Sequence, residues 1–150
     1  MLGVLSIQRG AAGTRQTLQV MRRLARAGLS NAYVQEGSPV LSVPVRNIDG
    51  LLRQIWRRTE ETEETLYTVD ANVRNLVQYG YMIGDCDDAA VIAATVLLAR
   101  GELAKFVAVR RPFQTDFSHV FVETLDRTRI DPTAPIDADY TGWERMEEWS

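Results

Sequence analysis

The sequence predicts an α+β domain, with N-terminal helices packed on a small antiparallel sheet that follows them. Three observations carry this prediction. Apolar residues as far as Leu98 recur at helical spacing. From Phe106 onward they alternate, or run in short blocks cut by Pro and turn residues. Helices first and strands afterwards, rather than a strict alternation of the two, is the order of an α+β chain. The 150 residues, 45% hydrophobic and 25% charged, suit one domain that can bury a core without disulfide staples. Residues 1–46 read as a helix and an extended arm, and residues 47–150 as the core of that domain.

Thr14 is placed to cap a helix running to Gly28, with Leu18, Met21, Leu24 and Ala25 on one stripe. Arg15, Arg22 and Arg26 lie on its other face. Residues 31–45, with Gly37-Ser38-Pro39 and Pro44, read as an extended connection. Asn47 then caps a second helix, whose Ile48, Leu51, Leu52, Ile55 and Trp56 follow the spacing of a core-facing stripe. The acidic stretch Glu60, Glu61, Glu63, Glu64 is expected in solvent. Asp70 reads as the cap of a third helix, with Val73, Leu76 and Val77 inward and Gly80 closing it.

Gly84-Asp85-Cys86-Asp87-Asp88 leads into an apolar helix from Ala89 to Arg100, ended by Gly101. Phe106 to Val109 is a short strand stopped by Arg110-Arg111-Pro112. Phe117 to Leu125 is the next strand. Its Phe117, His119, Phe121, Glu123 and Leu125 share one face, and Ser118, Val120, Val122 and Thr124 share the other. Asp126-Arg127-Thr128 turns the chain, and Arg129-Ile130-Asp131 returns until Pro132 cuts the strand.

Composition excludes several classes of function. One Cys rules out an internal disulfide and a multi-Cys zinc site, and one His rules out His-rich metal sites. No metal or organic cofactor is implied. The longest apolar stretch, Ala89 to Ala99, is too short to span a bilayer. Met1-Leu2-Gly3-Val4 has no basic flank and meets Arg9 early, so a secretory signal is not expected and a reducing, cytoplasmic setting is. The net charge of −3 hides a split: nine Arg against two acidic residues give +7 over residues 1–58, and eight basic against eighteen acidic residues give −10 over 59–150. Internal or subunit pairing is the first reading of that split. Nucleic-acid binding, through Arg15, Arg22 and Arg26, is a minor one, because no basic run is interleaved with aromatics.

The candidate chemistry centres on Cys86. Its position in the first turn of an apolar helix favours a thiolate, through unpaired N–H groups and the helix dipole. Asp85, Asp87 and Asp88 oppose this by like-charge repulsion, so a thiolate there needs a cation, and His119 can supply it as imidazolium. The hairpin turn is centred near Leu125 or Asp126, which places Asp131 opposite residues 119 to 121. Opposed side chains on one face stand roughly 5 Å apart, within reach of an imidazole–carboxylate hydrogen bond. Asp131 then orients His119, and the second ring nitrogen faces the thiol. Taken singly, each part has a plainer explanation: a buried structural thiol, a structural His, a strand terminator. The three acids likewise stabilise a helix start before they make a hard-cation site.

Gly84-Asp85-Cys86-Asp87-Asp88-Ala89-Ala90, Phe106-Val107-Ala108-Val109, Phe117-Ser118-His119-Val120-Phe121-Val122-Glu123 and Asp131-Pro132-Thr133 together resemble the transglutaminase-like superfamily of cysteine enzymes, in particular its small bacterial and phage-borne members. The resemblance runs from Gly84 to Thr133, with a fainter echo at Trp143. It implies a papain-like α+β fold with Cys86 as nucleophile, His119 as general base and Asp131 as third member of the triad. The Trp that often precedes the Asp-Pro pair in relatives is absent. The Cys86 N–H is one candidate oxyanion donor, and Gln78, Tyr79 and Trp56 are candidates for the second. The function expected is acyl transfer on amide or peptide bonds of a peptide or protein through a thioester, with hydrolysis ahead of amine-accepting cross-linking. The alternative is a phage virion assembly protein that keeps the fold and associates with itself or with other virion proteins.

Overall fold

The computed structural model describes residues 4–6, 10–35, 41–59 and 65–150. The first half contains β1 (Val4–Ser6), α1 (Gly10–Gly28), α2 (Ala32–Gln35), a 3-10 turn at Val45–Asn47, α3 (Ile48–Ile55), β2 (Trp56–Arg58) and β3 (Thr65–Tyr67). The second half contains α4 (Val69–Tyr79), β4 (Met82–Gly84), α5 (Cys86–Ala99), β5 (Ala104–Arg110), β6 (His119–Thr124), β7 (Arg129–Ile130) and β8 (Glu144–Trp149). Among the described residues the main sheet is antiparallel, in the order β7-β6-β5-β8. Two small pairings flank it: β1 with β3, antiparallel, and β2 with β4, parallel. The α+β class read from the sequence is the class observed.

Helix α5 organises the core. It is buried continuously from Asp88 to Leu97, the pattern of a helix enclosed by its neighbours rather than lying on a surface. The stripe Leu18, Met21, Leu24 and Ala25 of α1 is buried in the same cluster, with Ile48 and Leu52 of α3 and Val120 and Val122 of β6. The opposite face of the sheet carries a second cluster, in which Val107, Val109 and Phe121 lie under Tyr140 and Trp143 from the loop between β7 and β8. The main sheet is therefore covered on both faces where His119 enters it.

Several boundaries differ from the sequence reading. Helix α1 begins at Gly10, so Thr14 lies inside the helix and does not cap it; Ala11 and Ala12 are strong helix formers and carry it back another turn. Asn47 stands at the N-terminus of α3 but makes no side-chain cap bond, because the preceding 3-10 turn already gives it helical dihedrals of φ −93° and ψ −10°. Trp56 leaves the helix and opens β2. The cap of α4 is Thr68, whose hydroxyl accepts the Ala71 N–H at 3.2 Å. Asp70 instead sits in the first turn and accepts from Asn31 Nδ2 at 2.7 Å. Val77 points outward at 72% exposure. Within 31–45, residues Ala32–Gln35 form a short helix rather than extended chain. Gly37-Ser38-Pro39, the acidic run Glu60, Glu61, Glu63, Glu64, and Arg9 lie outside the described residues.

The arginine face of α1 is engaged within the chain. Arg15 donates to the Glu147 carbonyl at 2.9 Å and pairs with Glu148 at 3.2 Å. Arg22 lies 3.9 Å from Glu148, and Arg26 donates to the Ser150 carbonyl at 2.8 Å. Among the described residues no helix is long and apolar enough to cross a membrane.

Candidate active site

The start of α5 is built by a reciprocal cap. The Asp85 carboxylate accepts the N–H groups of Asp87 and Asp88 at 3.0 and 3.4 Å. Asp88 reaches back, one oxygen accepting the Asp85 N–H at 3.1 Å and the other the Tyr67 N–H at 2.7 Å. Gly84 permits this return. Its φ is +147°, and a Cβ there would lie 2.3 Å from the Asp88 carboxyl. Burial, reinforced by the charge of Asp85, pushes the Asp88 pKa up to about 9, so this carboxyl keeps its proton at neutral pH. The acidic cluster thus forms a helix start. Ligand atoms of Asp85, Cys86 and Asp87 lie within 4.8 Å of one another, but Asp85 is committed to the cap.

Cys86 occupies the first helical position after that cap. Burial raises its pKa well above the ordinary thiol value, the charges of Asp87 and then Asp85 add to the shift, and the Val120 backbone hydrogen bond opposes it. This corrects the thiolate expected from the helix terminus. Desolvation and two adjacent carboxylates outweigh the dipole, and the resting group is a protonated thiol. The thiol donates to Asp87 Oδ1 at 3.8 Å.

His119 and Asp131 meet across the β6–β7 hairpin. Val122 pairs with Ile130 and Glu123 with Arg129, a register that puts Asp131 level with Phe121 and one diagonal step from His119 on the same face. His119 Nε2 donates to Asp131 Oδ1 at 2.6 Å. Nδ1 is then the nitrogen left to exchange a proton with a thiol. Asp131 is only 4% exposed and is held from several sides. Its N–H donates to Asp49 Oδ1 at 2.6 Å, and its carbonyl accepts from Arg53 at 2.8 Å. Asp49 and Arg53, one turn apart on α3, pair with each other at 3.1 Å, and Arg53 also donates to the Ala134 carbonyl. The second Asp131 oxygen lies 3.4 Å from the Tyr140 hydroxyl and 4.0 Å from Arg129 Nε.

Cys86 and His119 line one cavity of about 140 Å³, bounded by Asp85 and Asp87 at the helix start, by Phe117 and Ser118 ahead of β6, and by Thr14 and Thr17 of α1. The structure therefore brings the sole Cys and the sole His to the same cavity and sets Asp131 behind the imidazole. Gln78, Tyr79 and Trp56, the candidate oxyanion donors, do not line it. Gln78 and Tyr79 are exposed on α4, and the Trp56 indole N–H donates to the Gly84 carbonyl at 3.1 Å. A larger apolar cavity, about 180 Å³ and bounded by residues of α3, α4 and α5, shares no lining residue with this one.

Comparisons with family models, with curated proteins and with solved structures returned no match. Sequence reasoning missed Tyr140, Asp49 and Arg53. The i,i+4 spacing of Asp49 and Arg53 was a readable helix pair, but nothing in it indicates that the pair holds the Asp131 backbone. Tyr140 lies in a loop without periodicity and left no comparable signal.

Proposed function

We propose that this chain is a cysteine-dependent acyl-transfer enzyme on a transglutaminase-like, papain-like fold, cleaving amide or peptide bonds of a peptide or protein with water as acceptor. One observation carries the reading. The only imidazole is hydrogen-bonded through Nε2 to a buried carboxylate and borders the same cavity as the only thiol. As Cys86 Sγ attacks the carbonyl carbon, its proton passes to His119 Nδ1, and Asp131 compensates the imidazolium. The Cys86 N–H, at a helix N-terminus, faces the developing oxyanion. His119 returns the proton to the leaving amine as the C–N bond breaks. It then takes a proton from water as water attacks the thioester, which frees the acid and restores the thiol. Because the resting thiol is protonated, the nucleophile forms during attack rather than standing ready as an ion pair. Amine in place of water gives the cross-linking variant of the same chemistry.

A second reading, a phage virion or assembly protein that kept the fold, needs no working thiol, and the raised thiol pKa and the Cys86–Asp87 hydrogen bond favour an inert Cys86. Incubation with p-nitrophenyl acetate and intact-mass analysis separates the two. The enzymatic reading predicts an acetyl adduct on Cys86 that turns over, is absent in Cys86→Ala, and forms about a hundredfold more slowly in His119→Ala. A wild-type Cys86 that stays unacylated at neutral pH supports the assembly reading.

A further inference from the structure

Tyr140 touches both partners of the His119–Asp131 pair. Its ring stacks on the imidazole with centroids 5.5 Å apart and planes 27° apart, and its hydroxyl reaches Asp131 Oδ2 at 3.4 Å. The ring is itself fixed, lying nearly parallel to Phe121 at 5.5 Å, meeting the edge of Trp143 at 5.1 Å, and carrying the Arg129 guanidinium at 5.2 Å. A histidine held by a single hydrogen bond keeps a broad, soft χ2 torsion. A rigid stacked ring removes that freedom.

We infer that Tyr140 is a positioning residue that holds the His119 ring in the plane where Nε2 meets Asp131 and Nδ1 stays available to Cys86. The inference rests on the proposed role of His119 as base. The stack is the main contact, since 3.4 Å is long for an O–H···O bond. The hydroxyl supports it as a permanent donor, because burial, followed by the Asp131 charge, raises the phenol pKa to about 12.

The chain has one histidine, so ¹⁵N-edited NMR reads this ring without assignment ambiguity. The wild type is expected to show a low-field, exchange-protected Nε2–H, and Tyr140→Phe to retain it. Tyr140→Leu is expected to exchange that proton at least tenfold faster and, at neutral pH, to slow Cys86 alkylation by iodoacetamide about tenfold, with Tyr140→Phe within twofold of wild type. Should Tyr140→Leu fail to fold, Tyr140→Met keeps the bulk without an aromatic face and is read in the same way. A wild-type spectrum with no protected Nε2–H overturns the inference. So does an unchanged signal in a folded Leu or Met variant, or a loss in Tyr140→Phe as large as theirs. Wild-type alkylation that is indifferent to His119→Gln defeats the enzymatic reading instead, and the NMR comparison still decides the role of Tyr140.

Discussion

At the scale of single residues, Cys86 is the site's least expected feature. A cysteine at a helix N-terminus ordinarily gains acidity, yet here burial raises the thiol pKa and the Asp87 carboxylate, 3.8 Å from the sulfur, adds to it. Replacing Asp87 with Asn removes a carboxylate that favours the neutral thiol. The expected outcome is faster Cys86 alkylation at pH 7, by about three- to tenfold, since each unit of pKa corresponds to a factor of ten. Equal rates would remove Asp87 as a cause of the shift. Asp49 offers a second test at this scale. Asp49→Ala strips the buried Asp131 N–H of its acceptor, which costs about 1–3 kcal/mol. Chemical denaturation should show that loss, and the Nε2–H of His119 should broaden as Asp131 loosens.

At the scale of elements, the strand-to-helix turn at Gly84 carries the site. Gly84→Ala forces a Cβ onto the Asp88 carboxyl at 2.3 Å and holds a non-glycine residue at positive φ, a cost of at least about 1–3 kcal/mol. A lowered melting midpoint and slowed Cys86 alkylation should appear together. Asp88 adds a pH dependence whose sign is fixed. Its folded pKa, about 9, lies above that of the unfolded chain, so its contribution is complete below the ordinary carboxylate range and declines as pH rises toward 9. Unfolding free energy measured between pH 5 and 9 should fall more steeply for wild type than for Asp88→Asn. Parallel slopes would contradict this.

The same elements show what the sequence disclosed. Helix α5, β5, β6 and the hairpin were legible because apolar runs, alternation and the Asp126-Arg127-Thr128 turn are local signals. That Cys86 and His119 share a cavity and that His119 meets Asp131 was legible because the helix start and the hairpin register are local signals too. Strands β2, β3 and β4 are three residues each, too short for alternation to show. Strand β8, Glu144–Trp149, is mostly charged and pairs with β5 at one side of the sheet, so it has no apolar pattern to read. The thiol pKa was not legible either, since it depends on desolvation that only the folded chain creates.

At the scale of the whole molecule, the basic first half and acidic second half meet where α1 lies against β8. Arg15 donates to the Glu147 carbonyl of β8 and Arg26 to the Ser150 carbonyl just beyond it, whereas Arg22 makes only a longer ion pair. Arg22→Ala should therefore cost less than about 0.5 kcal/mol and Arg26→Ala about 1 kcal/mol or more, since exposed ion pairs contribute little beyond their hydrogen bonds. Equal losses in urea unfolding would contradict that ranking. The candidate site spans two layers, with the thiol on the central helix, the imidazole on β6 and the carboxylate just past β7, so the proposed chemistry depends on how the layers are packed together. The most direct measurement of that dependence is the pH profile of Cys86 alkylation by iodoacetamide in wild type and in His119→Gln. A coupled pair predicts a wild-type inflection in the imidazole range, lost in His119→Gln, with the rate between pH 6 and 8 falling at least tenfold. Superimposable profiles that rise only at alkaline pH would show that the sulfur and the ring do not act together.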